Sequence, residues 1–122
     1  METFEKGSKI KNGKLSIIDL RGTWREMGRQ YGALMSAELR DIYERAICGR
    51  ILAQAEEPQG IKLQAEKFFT NYPYKFKEIL RGMSESSGLS LEELKLVNAF
   101  EVIAAMALMP QQCSGIAVWG DY

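Results

Sequence analysis

The chain of 122 residues contains no histidine. That absence removes Ser-His-Asp and Cys-His catalytic arrangements and the common histidine-based zinc sites from anything these residues could build among themselves. Charge of one sign is also lacking: sixteen basic residues balance sixteen acidic ones, and no block of like charge stands out. No electrostatic field is therefore offered to nucleic acid or to an anionic bilayer, and neither is expected as a partner. Long hydrophobic runs are missing too. The longest, Val102 to Met109, falls far short of the roughly 20 residues needed to span a bilayer, and the opening METFEKGSKIKNGK has no apolar core of signal-peptide length. The expected location is cytoplasmic. Only two cysteines occur, Cys48 and Cys113, without metal-ligand spacing, so both are expected as free thiols, with no metal and no cofactor. No glycine loop of the kind that cradles phosphate is found.

What is present is a globular composition, 46% hydrophobic and 26% charged, in a length suited to one domain. Lys14–Gly22, KLSIIDLRG, predicts a strand, because Ile17, Ile18 and Leu20 favour extended backbone and Gly22 ends the run. Thr23-Trp24-Arg25-Glu26 has the form of a capping box and opens a long helix. Trp24, Met27, Tyr31, Leu34, Met35, Leu39, Ile42 and Ala46 recur at three- and four-residue steps along it and predict one buried stripe. EEPQG breaks that helix, and Ile61–Tyr72 predicts a second one. Pro73 should open a third helix that Gly88 closes, and Ser90-Leu91-Glu92-Glu93 is a second capping box, starting a fourth helix that runs to Pro110. Beyond it, Ile116, Ala117, Val118 and Trp119 put apolar groups on both faces of a strand, as an interior strand with layers above and below would. The expectation is an α+β chain, mostly helical, with about four helices and two strands that call for more sheet.

Three features bear on chemistry. Gly28 and Gly32 form a small-xxx-small pair within the first helix, which predicts the close approach of a neighbouring backbone and not a ligand site. Tyr72, Tyr74 and Phe76 alternate with Lys75 and Lys77, but at zero net charge this reads as a solvated helix start. Cys48 reads as a small core or boundary residue. Cys113 remains. A thiol has an ordinary pKa of about 8.5 and needs a base; an α-amino group, titrating near 7.7–8.0, would supply one if the Gln112–Cys113 bond were cut. Left uncut, Cys113 is a packing residue at a strand start. Glu101, a carboxylate among apolar residues, needs a hydrogen-bonding partner wherever it is buried.

The run GLSLEELKLVNAFEVIAAMALMPQQCSGIAVWG resembles the junction region of the self-processing acyltransferases related to isopenicillin N acyltransferase, a branch of the N-terminal-nucleophile hydrolases. The likeness lies in Leu96, Asn98 and Glu101 on a helix, then a loop, then Cys113-Ser114 leading a small-apolar strand. LRGTWREMGRQYGALM is similar to the family's opening, and YPYKFKEILRGMSESSGLSLEEL to the segment between, so the resemblance covers roughly residues 15–120. It implies an αββα sandwich, of which residues 1–122 form a single incomplete domain. Residues 1–112 would be a pro-segment or α-chain and residues 113–122 the start of the catalytic chain. It also implies self-cleavage between Gln112 and Cys113, with Cys113 then attacking an amide carbonyl to give a thioester. The implied partners are the C-terminal remainder of the same precursor, expected after Tyr122, and a small acyl or amide substrate. Two positions differ from many relatives: Gln112 stands where glycine is frequent, and Phe100 where arginine is expected. The alternative is a non-catalytic helical interaction or scaffold domain.

Overall fold

The structure, a computed structural model, describes residues 1–100. Glu101, Gln112, Cys113 and the strand expected at residues 116–119 lie outside the described residues.

The described chain is α+β. A three-stranded antiparallel sheet in the order β1-β2-β3 is made of β1 (Glu2–Phe4), β2 (Gly7–Asn12) and β3 (Leu15–Asp19). Only β3 was foreseen. The strands before it are short and largely polar, and their evidence is in the turns. Asn12 pairs with Leu15 across a two-residue loop whose first position is Gly13 at φ 66°, the geometry of a type II′ hairpin. Phe4 pairs with Gly7 across a second tight loop, in which Glu5 takes φ 52°.

Helix α1 (Trp24–Leu34) starts as expected: the Thr23 hydroxyl accepts from the Glu26 amide at 3.1 Å, and the Glu26 carboxylate accepts from the Thr23 amide at 2.9 Å. The expected single long helix is interrupted. Met35, at φ −111° and ψ 20°, ends α1 and leads α2 (Ser36–Asp41), which passes into a π-helical stretch, Ile42–Leu52. Helix α3 (Pro58–Thr70) begins three residues before the expected start, because Pro58 in its first turn sacrifices no intrahelical hydrogen bond. Helix α4 (Tyr74–Ser86) follows Pro73, and Gly88, at φ 86°, supplies the left-handed residue that turns the chain out of it. Helix α5 (Leu91–Asn98) has the expected capping box, Ser90 with Glu93 at 3.1 and 2.8 Å, and is broken after Asn98; residues 101–110 of the expected helix lie outside the described residues.

Two apolar clusters form the core. Ile47 and Ile51 from the π-helical stretch meet Ile61 and Ala65 of α3 and Leu96 of α5; Leu39, Phe69, Leu80, Met83 and Leu94 form the other.

Candidate functional site

The expected catalytic residue Cys113 and the cleavage-site residue Gln112 lie outside the described residues, as does Glu101. The described part of the resemblance is the helical frame, and its centre is the contact between α1 and α4.

That contact is made by glycines. A Cβ added at Gly28 would fall on the Ile79 carbonyl, one at Gly82 on the Arg25 carbonyl, and one at Gly32 would stand 2.8 Å from the Met83 carbonyl oxygen. The small-xxx-small reading of Gly28 and Gly32 therefore holds: they let the α4 backbone approach, and Gly82 does the same from the other side. Ser86 completes the crossing by donating its hydroxyl to the Arg29 carbonyl at 2.6 Å. On the solvent side, Arg25 reaches Glu85 at 2.8 Å and Glu78 at 3.5 Å, and Arg81 reaches Glu78 at 2.9 Å. The Arg81 guanidinium, with Arg25 beside it, holds the Glu78 carboxyl below its ordinary value; the hydrogen bond from Arg25 does the same for Glu85.

A second side of α1 faces the sheet. Gln30 is fully buried there; its amide donates to the Arg21 carbonyl at 2.7 Å and its oxygen accepts from the Arg21 amide at 2.9 Å, as a neighbouring strand would. Gly7 of β2 lies over it, where a Cβ would meet the Gln30 side-chain oxygen at 2.8 Å. Lys9, also on β2 and buried, donates to the Leu34 carbonyl at 3.1 Å and to Glu38 at 3.2 Å, placing a cation at the negative end of α1.

The apolar stripe expected to be buried is buried only in part: Leu34 and Leu39 are core and Tyr31 and Met35 pack against it, but the start of the stripe opens on the third side of α1. Trp24 stays 45% exposed, and Met27 and Tyr31 are half-buried. With Leu20 from the end of β3, Ile79, Leu80 and Met83 from α4, and Leu94, Val97, Asn98 and Phe100 around α5, they line one trough of about 780 Å³. Its wall is almost wholly apolar. The amide of Asn98 is a polar group on it, donating to the Tyr72 hydroxyl at 2.9 Å. Asn98 is one of the residues that carry the resemblance; Leu96, two residues earlier, points instead into the core.

Other polar groups were not legible beforehand. Lys95, buried on α5, donates to Glu66 and Glu92 and lies 4.4 Å from the centre of the Phe69 ring. Burial works to lower its pKa, but the bonds it donates to these carboxylates hold it above its ordinary value. In the π-helical stretch, Tyr43 and Cys48 are five residues apart, the spacing that such a helix stacks. Hydrogen bonding to the Cys48 side chain, aided by burial, pushes the Tyr43 hydroxyl well above its ordinary value. Cys48 is a free thiol, partly buried, in line with a boundary residue. The aromatic and basic residues at the start of α4 are solvated as expected, with Tyr74 and Phe76 exposed and Lys75 lying 5.8 Å over the Trp24 ring.

Among the described residues no group of three His, Cys, Asp or Glu side chains could hold a metal ion, and no helix is long and apolar enough to cross a membrane. No family model matches the chain, and no curated protein or solved structure matches it.

Proposed function

We propose that this chain is the leading part of a cysteine N-terminal-nucleophile amide hydrolase or acyltransferase of the αββα type, cut before Cys113 and completed by the remainder of its precursor. The observation that carries this reading is the order of elements in the sequence: the Glu26-x-Gly28-x-x-x-Gly32 helix, then the Leu96–Asn98–Glu101 segment, then Cys113-Ser114 and a small-apolar run, all in a chain without histidine. Two described features support it. Gly28 and Gly32 have a packing role that accounts for their spacing, and Asn98 opens onto an apolar trough at the point where the chain departs toward Cys113.

The chemistry needs only what Cys113 carries. Its sulfur adds to the Gln112 carbonyl carbon, the Gln112–Cys113 C–N bond breaks, and the nitrogen takes up a proton to become the new amine. Water then hydrolyses the resulting thioester, leaving the Gln112 carboxylate and a free Cys113 thiol. In turnover the α-amino group accepts the thiol proton as sulfur attacks a substrate amide, and returns it to the departing amine. Water, or an acceptor amine, takes the acyl group from the thioester.

Mass spectrometry of the precursor as the cell makes it tests this. A new chain beginning at Cys113 is expected, and Cys113→Ala should abolish the cut; an intact precursor that turns over amides overturns the reading. The second reading, a helical interaction domain, is favoured by a different feature: β3 carries exposed Leu15 and Ile17 beside a side that is unpaired among the described residues.

A further inference from the structure

The trough between α1, α4 and α5 has a neighbour. A second cavity, of about 390 Å³, is lined by Tyr72, Pro73 and Phe76, and it shares Ile79, Leu80, Met83 and Asn98 with the trough, so the two lie side by side along α4. The trough alone, at about 780 Å³, falls within the roughly 300–1,000 Å³ of small-molecule sites. With walls that are apolar almost throughout, whatever fills it is held by burial of hydrocarbon and gains little from hydrogen bonds.

Charge is found at the rim. Lys75, exposed in the first turn of α4, holds its ammonium 5.8 Å from the centre of the Trp24 ring and 5.3 Å from that of the Phe76 ring. Trp24 lines the trough and Phe76 lines the second cavity, so the cation stands where the two walls meet. No carboxylate among the described residues bridges to it: Glu78, the next acid along α4, is taken by Arg25 and Arg81. The ring faces attract the ammonium to the mouth of the trough and leave its charge uncancelled.

A hydrocarbon wall with an uncompensated cation at its mouth matches a single apolar chain that ends in an anion. A neutral hydrocarbon makes no use of Lys75, and an anion without a tail gains only one exposed ion pair, too little to hold it in water. We infer that the trough binds a long-chain fatty acid, free in solution and not as part of a bilayer, with its hydrocarbon chain against α1, α4 and α5 and its carboxylate at Lys75. Binding involves no covalent step and none of the cleavage chemistry proposed at Cys113.

Isothermal titration calorimetry of the whole chain with monomeric decanoate, dodecanoate and decanol is the test. One saturable site per chain is expected. Each methylene drawn from water into the trough tightens binding about fourfold, so dodecanoate should bind roughly tenfold or more tighter than decanoate. Decanol, which lacks the charge, should bind more weakly than decanoate. Lys75→Gln, an exposed substitution, should weaken decanoate by about twofold to fivefold and leave decanol unchanged. In NMR of the saturated complex, the Met27 and Met83 methyl groups should show contacts to the chain protons of dodecanoate. The inference is overturned by the absence of saturable binding, the result expected where protein fills the trough, by equal affinity for the two acids, by decanol binding as tightly as decanoate, or by a saturated complex without those methionine contacts. A chain that associates with phosphatidylserine vesicles but binds no monomeric dodecanoate also overturns it, and would assign the exposed Trp24, Tyr74 and Phe76 to a bilayer surface instead.

Discussion

Gly28→Ala should destabilise the fold although it improves the helix. Alanine is preferred over glycine in a helix interior by about 1 kcal/mol. Burying one more methyl group would add about 0.8 kcal/mol if there were room for it. There is none: the new carbon falls on the Ile79 carbonyl, which is backbone held in α4 and has no rotamer to change. Overpacking of this kind costs ~1–3 kcal/mol and occasionally more, and a backbone obstacle belongs at the upper end. A net loss of about 1–2 kcal/mol is expected, appearing in urea unfolding as a lower midpoint with an unchanged slope. Gly60→Ala is the internal control. It also lies in a helix, but its added carbon would stand 3.7 Å from the nearest atom, a Glu57 carboxylate oxygen, so it should stabilise by ~0.5–1 kcal/mol. Gly82 faces the same contact from α4, and once one substitution has parted the helices the second has less left to disturb. Gly28→Ala with Gly82→Ala should therefore cost less than the sum of the two alone. A Gly28→Ala chain as stable as the Gly60→Ala chain would refute the close approach of α1 and α4.

Two further outcomes follow from the buried polar groups. Gln30→Leu should lower stability by about 1–3 kcal/mol in the same unfolding experiment, because it strands both the amide and the carbonyl of Arg21 away from their partner, and Gln30→Glu should lower it as well, since a carboxylate can still accept from the Arg21 amide but has no donor for the carbonyl and brings a charge into a fully buried site. Lys95 and Tyr43 both hold their protons more tightly in the folded chain than their ordinary values of 10.5 and 10.0, so each contributes stability that is fully present below those values and is lost as pH rises from them through the higher values of the folded chain. Unfolding midpoints should then fall above about pH 10, by at most about 1.4 kcal/mol per pH unit for each proton, and Tyr43→Phe or Lys95→Met should flatten that limb.

What could be read from the residue order was what is decided within a few residues. Both capping boxes, the helix opened after Pro73 and the glycine exit at Gly88 depend on contacts three or four positions apart, and all stand as expected. The role of Gly28 and Gly32 was also legible, because a small residue every four on a helix has few other uses. Periodicity failed in an instructive way at Trp24, Met27 and Tyr31. Their spacing specifies a common face of α1, but not what lies against it, and in the described chain that face borders the trough; of the expected stripe Leu34 is buried within α1, beside Gly28, Gln30 and Gly32. Lys9, Gln30 and Lys95 were beyond reach for a related reason: each is buried only because a partner from a distant element satisfies it. The strands before β3 were missed because Thr3, Ser8 and Lys11 carry no apolar alternation. The chemistry proposed for Cys113, by contrast, was argued from a single residue and its own backbone nitrogen, so it could be framed without any fold at all.

Three glycines let α1 and α4 approach backbone to backbone, and several large apolar groups lie exposed away from that contact, Ile10, Leu15 and Ile17 on the sheet and Trp24 at the start of α1. Burying an aliphatic side chain completely is worth ~1.5–3 kcal/mol, so covering the open parts of Ile10, Leu15 and Ile17 alone would recover about 3–5 kcal/mol. That is a large share of the ~5–15 kcal/mol by which a domain is stable at all. Contacts of that size are open to whatever covers the outer sheet face, and the trough between α1, α4 and α5 offers a second apolar surface of the same kind.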